Sequence, residues 1–161
     1  MILDSTLEFA DAESVAAAAG TSLIGDVIDL GVTPQDLGNG KPMYLVITTD
    51  TEIITGGVAG TIGFQLVSDA AAAIATNGTA TVHLDSGTFV TGATTTGDAN
   101  IQAGGVVFMG AMPTGAARTY ERYLGVLSTV ATATVTAGNL NAFLTYDPSA
   151  WAAYADGANA P

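Results

Sequence analysis

The chain contains no cysteine. That excludes disulfide frameworks, thiolate metal sites and cysteine nucleophiles. Positive charge is nearly as scarce: Lys41, Arg118 and Arg122 stand against fifteen acids, for a net charge of -12 and a pI near 4.1. A function led by nucleic acid is excluded, because a phosphate backbone demands clustered Lys and Arg. An anionic membrane surface is disfavoured for the same reason. With a single histidine and no cysteine, the usual zinc sites cannot be assembled from this chain alone. No stretch reaches the ~18 uninterrupted apolar residues of a membrane-spanning helix. Basic residues are missing before Lys41, where the flank instead carries Asp4, Glu8, Asp11 and Glu13. A secretory leader needs a basic start, so export by that route is not expected. Charged residues of both signs make up only 11 % of the chain, against ~25 % in an ordinary soluble domain.

What is present is glycine, threonine, valine and alanine. Threonine and valine are stiff at χ1 and suit a pleated surface. The twenty glycines supply turn and bulge signals. Strands are expected over Asp26–Leu30, Met43–Asp50, Thr61–Ser68, Thr79–Leu84, Gly105–Met109, Tyr120–Ser128 and Asn139–Asp147. In Thr61–Ser68, alternation puts Ile62, Phe64 and Leu66 on one face and Gln65 and Val67 on the other. In Asn139–Asp147, Leu140, Ala142, Leu144 and Tyr146 share a face. The last two strands are expected to form a closing hairpin. Ala12–Ala19 and Asp69–Ala75 are expected to give a helical turn or two each, since alanine is the best helix former. Short strands separated by Gly, Asn and Asp turns indicate an all-β fold, a jelly-roll-like antiparallel β-sandwich. The expected division is an N-terminal arm at 1–25, the sandwich at 26–147 and a C-terminal tail at 148–161, with both arms flexible.

Candidates for chemistry are few. His83 has Asp85 two residues on, which on a strand shares its face. A serine nucleophile in a Gly-x-Ser-x-Gly elbow is missing, and Asp85-Ser86-Gly87 reads as a turn. The pairs Asp26/Asp29 and Asp50/Glu52 do not follow the spacing of a calcium loop, although loops could still assemble a site. Gly56-Gly57-Val58-Ala59-Gly60 lacks the Gly-Lys-Ser/Thr ending of a phosphate loop. Thr132, Thr134 and Thr136 could form a hydroxyl ladder, either a ligand-binding array or simply an exposed strand face. Arg118 and Arg122 would line one face with Tyr120 and Leu124, pairing with the chain's own acids or with a neighbour's. The lone tryptophan, Trp151, lies three residues before Tyr154. Both rings could fold back on the domain or dock on a neighbouring chain.

Several pieces then fall in order. Met1-Ile2-Leu3-Asp4, Phe9-Ala10-Asp11-Ala12, Asp29-Leu30-Gly31 and Gly40-Lys41-Pro42-Met43-Tyr44-Leu45-Val46 come first. Arg122-Tyr123-Leu124, Val135-Thr136-Ala137-Gly138 and Ala142-Phe143-Leu144 before Asp147 follow. Together they resemble the tailed-phage capsid cement proteins of the Bbp16-like family. The resemblance spans about residues 1–147 and leaves out Thr88–Gly104 and the alanine-rich tail. It implies a jelly-roll structural protein on the outer surface of a virion head, made in the host cytoplasm. The implied partners are the major capsid protein and further copies of itself, as a trimer or dimer, with no nucleic acid and no membrane. The family brings no catalytic residues and no cofactor. Contact residues are expected at Ile2, Leu3, Leu7 and Phe9 of the N-terminal segment, at Arg118 and Arg122, and at Trp151 and Tyr154. The alternative is a secreted carbohydrate- or calcium-binding β-sandwich module; a hydrolase resting on His83 is a third reading.

Overall fold

A computed structural model describes residues 5–31, 40–93, 96–114 and 119–149. Its strands are β1 (Glu8–Ser14), β2 (Gly20–Asp29), β3 (Tyr44–Thr55), β4 (Thr61–Asp69), β5 (Thr81–Val90), β6 (Val106–Ala111), β7 (Tyr123–Ala131) and β8 (Val135–Thr145). Two short 3-10 turns, Ser5–Leu7 and Ala99–Ile101, are the helical elements among the described residues.

The strands form two four-stranded antiparallel sheets, ordered β1-β8-β3-β6 and β2-β7-β4-β5. The pairs β1·β8, β2·β7, β3·β6 and β4·β5 are nested like the rungs of one long hairpin. Rolling that hairpin sends alternate rungs to opposite sheets, which is the jelly-roll arrangement. The rolled ribbon closes where β8 meets β3 and β7 meets β4.

Alternation in the sequence explains which side chains the roll encloses. Leu45 and Ile47 of β3 and Leu140, Ala142 and Leu144 of β8 point inward from the first sheet. They meet Ile62, Phe64 and Leu66 of β4 and Leu124, Val126 and Val130 of β7. Burying each such side chain contributes roughly 1.5–3 kcal/mol. Val67 and Leu127 take the opposite face of the second sheet. There Ile74, from the loop between β4 and β5, covers them as a small second cluster.

Several expectations give way here. The expected arm at 1–25 contributes two strands: β1 pairs with β8, and β2 pairs with β7. Ala12–Ala19 is therefore not helical; Ser14 and the residues before it are strand, and Ala17 bridges to Val135. Alanine's helix propensity loses to Phe9, Ala10 and Val15, whose burial is worth more than a few tenths of a kcal/mol per residue. Asp69–Ala75 is not a helical turn: Asp69 ends β4 and Ala70–Ala75 is a loop. The Asp69 carboxylate accepts the N–H groups of Ala71 and Ala75, at 3.0 and 2.9 Å.

The expected closing hairpin is absent. β7 and β8 are consecutive but lie in different sheets, so the 131–135 link crosses the sandwich. Thr132 has φ +74° in that crossing, and the threonine ladder dissolves into it. A strand buried on one face has the same pattern whether it pairs with its neighbour or stacks over it. β2 and β5 are also longer than the expected Asp26–Leu30 and Thr79–Leu84, and Tyr146 falls just beyond β8, about half exposed.

The Ser128 hydroxyl is buried in β7 opposite Phe64 and has no hydrogen-bond partner among the described residues. A buried unsatisfied hydroxyl costs about 1–3 kcal/mol. Ser128→Ala is expected to stabilise the protein by about 1 kcal/mol, read as a higher urea midpoint with an unchanged slope; a lower midpoint would contradict this account.

Candidate functional site

Three polar features stand out among the described residues. The first surrounds His83. β4 and β5 are a true hairpin around Asn77-Gly78, which brings Ser68 beside His83. The His83 Nε2 lies 2.8 Å from the Ser68 Oγ, with both residues buried. Ser68 Oγ also accepts the Glu121 N–H at 3.1 Å, and the Glu121 carboxylate accepts the Thr81 hydroxyl at 2.8 Å. The Tyr120 ring lies against the imidazole, centroids 4.1 Å apart, and its hydroxyl donates to the Pro113 carbonyl. A serine beside a histidine has the composition of a nucleophile–base pair. Here the serine oxygen is enclosed and already accepts a main-chain N–H. The cluster ties β4, β5 and the start of β7 together.

Asp85 does not join it, contrary to the shared face expected for residues 83 and 85. The pairing slips between Leu66/Leu84 and Val67/Val82, so His83 is the extra residue of a bulge and turns inward. Asp85 pairs instead with Gln65 on the outer face, accepting its amide at 2.7 Å.

That outer face holds the second feature, a shallow groove of about 200 Å³. Gln65, Asp85, Thr61, Thr88 and Thr129 line it, over a floor at Gly63. A second bulge shapes it. Gly87 has φ +75°, its N–H donates to Asp85, and the Ser86 hydroxyl accepts the Phe64 N–H in place of a ladder bond. A side chain at position 63 would press its Cβ to 2.8 Å from the Gly87 carbonyl.

The third feature is the scarce positive charge. Arg122 donates from Nε and Nη2 to the two Asp29 oxygens at 2.8 and 2.7 Å, a bidentate pair joining β2 to the start of β7. Asp29 also accepts the Gly31 N–H. Hydrogen bonding by Arg122, then by the Gly31 N–H, holds the Asp29 carboxyl down at about 2. Lys41 sits over the Tyr146 ring at 4.6 Å and helps lower the Asp147 carboxyl, after the hydrogen bonds from Ser149. Both described cations are thus engaged by their own chain. Of the expected stripe, Arg118 lies outside the described residues, and the other three do not share a face: Tyr120 and Leu124 are core, Arg122 is partly exposed, and the strand begins only at Tyr123.

The expected contact residues divide accordingly. Phe9 is 1 % exposed and belongs to the main core, so it is not available to a neighbour. Leu7 is partly buried against that core. Ile2, Leu3, Arg118, Trp151 and Tyr154 lie outside the described residues. Among the described residues, no three His, Asp or Glu side chains converge to hold a metal ion; Asp29 of the Asp26/Asp29 pair is committed to Arg122. Ser68 and Gln65 were not singled out from sequence. The signal for both was the Asn77-Gly78 turn, which sets β4 against β5.

The geometry defines a class: an eight-stranded antiparallel jelly roll whose described polar clusters brace its own strands. A scan against protein-family models matches Bbp16 over residues 9–144, from β1 almost to the end of β8. The chain belongs to the Bbp16 family, a phage-associated family. A search of the curated proteins finds no match.

The Asp29–Arg122 pair makes a pH prediction. A carboxyl held below its unfolded value stabilises the fold above that value and loses the contribution as pH falls through the folded one. The thermal midpoint of the wild type should therefore exceed that of Asp29→Asn at pH 7, with the gap closing between about pH 4 and pH 2. High salt should narrow the gap, because the pair is exposed. A gap independent of pH would remove the ion pair from the account.

Proposed function

We propose that this protein is a capsid cement, or decoration, protein: a structural virion component that binds the outer surface of a tailed-phage icosahedral head. There it stabilises contacts between major capsid protein subunits, and it performs no catalysis. The observation that carries this reading is the family match over all eight strands of the jelly roll. The residue chemistry is consistent with it. A net charge of -12 gives no affinity for packaged DNA. Few charges and abundant Ala, Gly and Thr lower the desolvation cost of broad contact surfaces. A lattice presents the same seam many times, so modest contacts per copy add through multivalency.

Mixing the purified chain with DNA-emptied, expanded heads that lack it tests the proposal. The chain is expected to sediment with the heads to a saturating stoichiometry and to raise the temperature at which they rupture. Saturable binding without stabilisation, or no binding, would overturn the cement role.

A further inference from the structure

Four carboxylates accept the main-chain N–H two residues further on: Asp29 from Gly31, Asp69 from Ala71, Asp85 from Gly87 and Asp147 from Ser149. Short polar side chains make such turns because they reach their own backbone. Asn77 makes the same turn with an amide. Its Oδ1 accepts the Thr79 N–H at 3.2 Å, and the Thr79 hydroxyl donates to the same oxygen at 2.7 Å. Asn77, Gly78 and Thr79 are all exposed, in the turn between β4 and β5. Gly78 has φ +89°, and a Cβ there would meet open space. Its nitrogen is thus shielded neither by a side chain of its own nor by a crowding neighbour.

The exchange of carboxylate for amide changes the chemistry of the turn. An anionic carboxylate does not react with a neighbouring amide nitrogen. A carboxamide is neutral, its carbonyl carbon is an electrophile, and its nitrogen can leave as ammonia. The turn folds the Asn77 side chain back over the peptide that follows, which holds the Gly78 nitrogen. Both Thr79 donors point at the oxygen on which negative charge would develop, the arrangement of an oxyanion hole.

The structure assigns Asn77-Gly78 as a self-modifying site, where the chain converts its own asparagine to aspartate and isoaspartate with water as co-reactant. Hydroxide from water removes the Gly78 N–H proton, and the nitrogen lone pair forms a bond to Asn77 Cγ. The carbonyl electrons move onto Oδ1, held there by the Thr79 N–H and hydroxyl. They return as the Cγ–Nδ2 bond breaks, and Nδ2 leaves as ammonia with a proton from water. The closed ring is a succinimide. Water opens it at Cγ to give aspartate, or at the main-chain carbonyl to give isoaspartate. Nothing is oxidised or reduced. Either product adds one negative charge to the net -12. Isoaspartate also adds a backbone methylene to the turn that sets β4 against β5.

Incubating the full chain at mildly alkaline pH, followed by peptide mass mapping, tests the assignment. Asn39-Gly40 is the other Asn-Gly pair of the sequence and serves as the internal reference; cleavage after Glu52 puts the two in separate fragments. The Asn77 fragment is expected to gain the mass of OH in place of NH2 and to contain isoaspartate. Thr79→Val keeps the main-chain N–H and removes the hydroxyl. It is expected to slow conversion at Asn77 about tenfold, a low value for one oxyanion donor because water competes at an exposed turn. Thr79→Ser should convert as fast as the wild type, and neither variant should alter conversion at Asn39. In urea, where the turn is lost, the difference between wild type and Thr79→Val should vanish. Should Thr79→Val fail to fold, Thr79→Ala is read in its place. An Asn77 that stays intact, or that converts as fast in the folded Thr79→Val chain as in the wild type, would overturn the assignment.

Discussion

The fold depends on one packing event, the burial of one sheet's inner face against the other's. Leu45, Ile47, Leu140 and Leu144 of one sheet share a buried core with Phe64, Leu66, Leu124 and Val126 of the other. At about 25 cal/mol per Å² of apolar surface removed from water, this term dominates any individual polar contact. It also sets the chain's path. The two inner faces meet because the nested hairpin rolls, so consecutive strands mostly change sheet. The exposed Asp29–Arg122 pair and the buried Ser68–His83 contact trim the ends of strands that the core has already positioned.

The same event consumes the side chains that might have formed a site. Tyr120 is fully buried, and His83 packs against its ring inside the sandwich. What reaches the surface among the described residues includes threonine, alanine, glycine and carboxylate, with Val58, Val82, Val90, Met109 and Tyr146 also exposed. The edge strand β1 carries Glu8, Asp11 and Glu13, whereas β6 carries no charge.

Much of the sandwich was legible because strands with one buried face alternate strictly. Thr61–Ser68 and Asn139–Asp147 show it, and Ile62, Phe64, Leu66, Leu140, Ala142 and Leu144 all face the core as their spacing requires. β1 was not legible, since Ala10, Ala12 and the acids around them carry no alternation, and tertiary burial of Phe9 overrode local propensity. The supposed hairpin of β7 and β8 failed for a different reason: periodicity reports which face is buried, never which strand lies alongside. His83 was visible as a lone residue, but its partner Ser68 depends on a bulge, and a one-residue slip inverts the face of everything beyond it. The family resemblance added what periodicity could not, because it rests on the order of short pieces along the chain rather than on the pattern within any of them.

The most direct test of the account is a cryo-electron microscopy map of the virion that carries this chain. Density for the jelly roll is expected on the exterior of the head, astride a seam and touching at least two capsid subunits. Density inside the shell, at the tail, or centred over a single capsid subunit without bridging a seam would contradict the account.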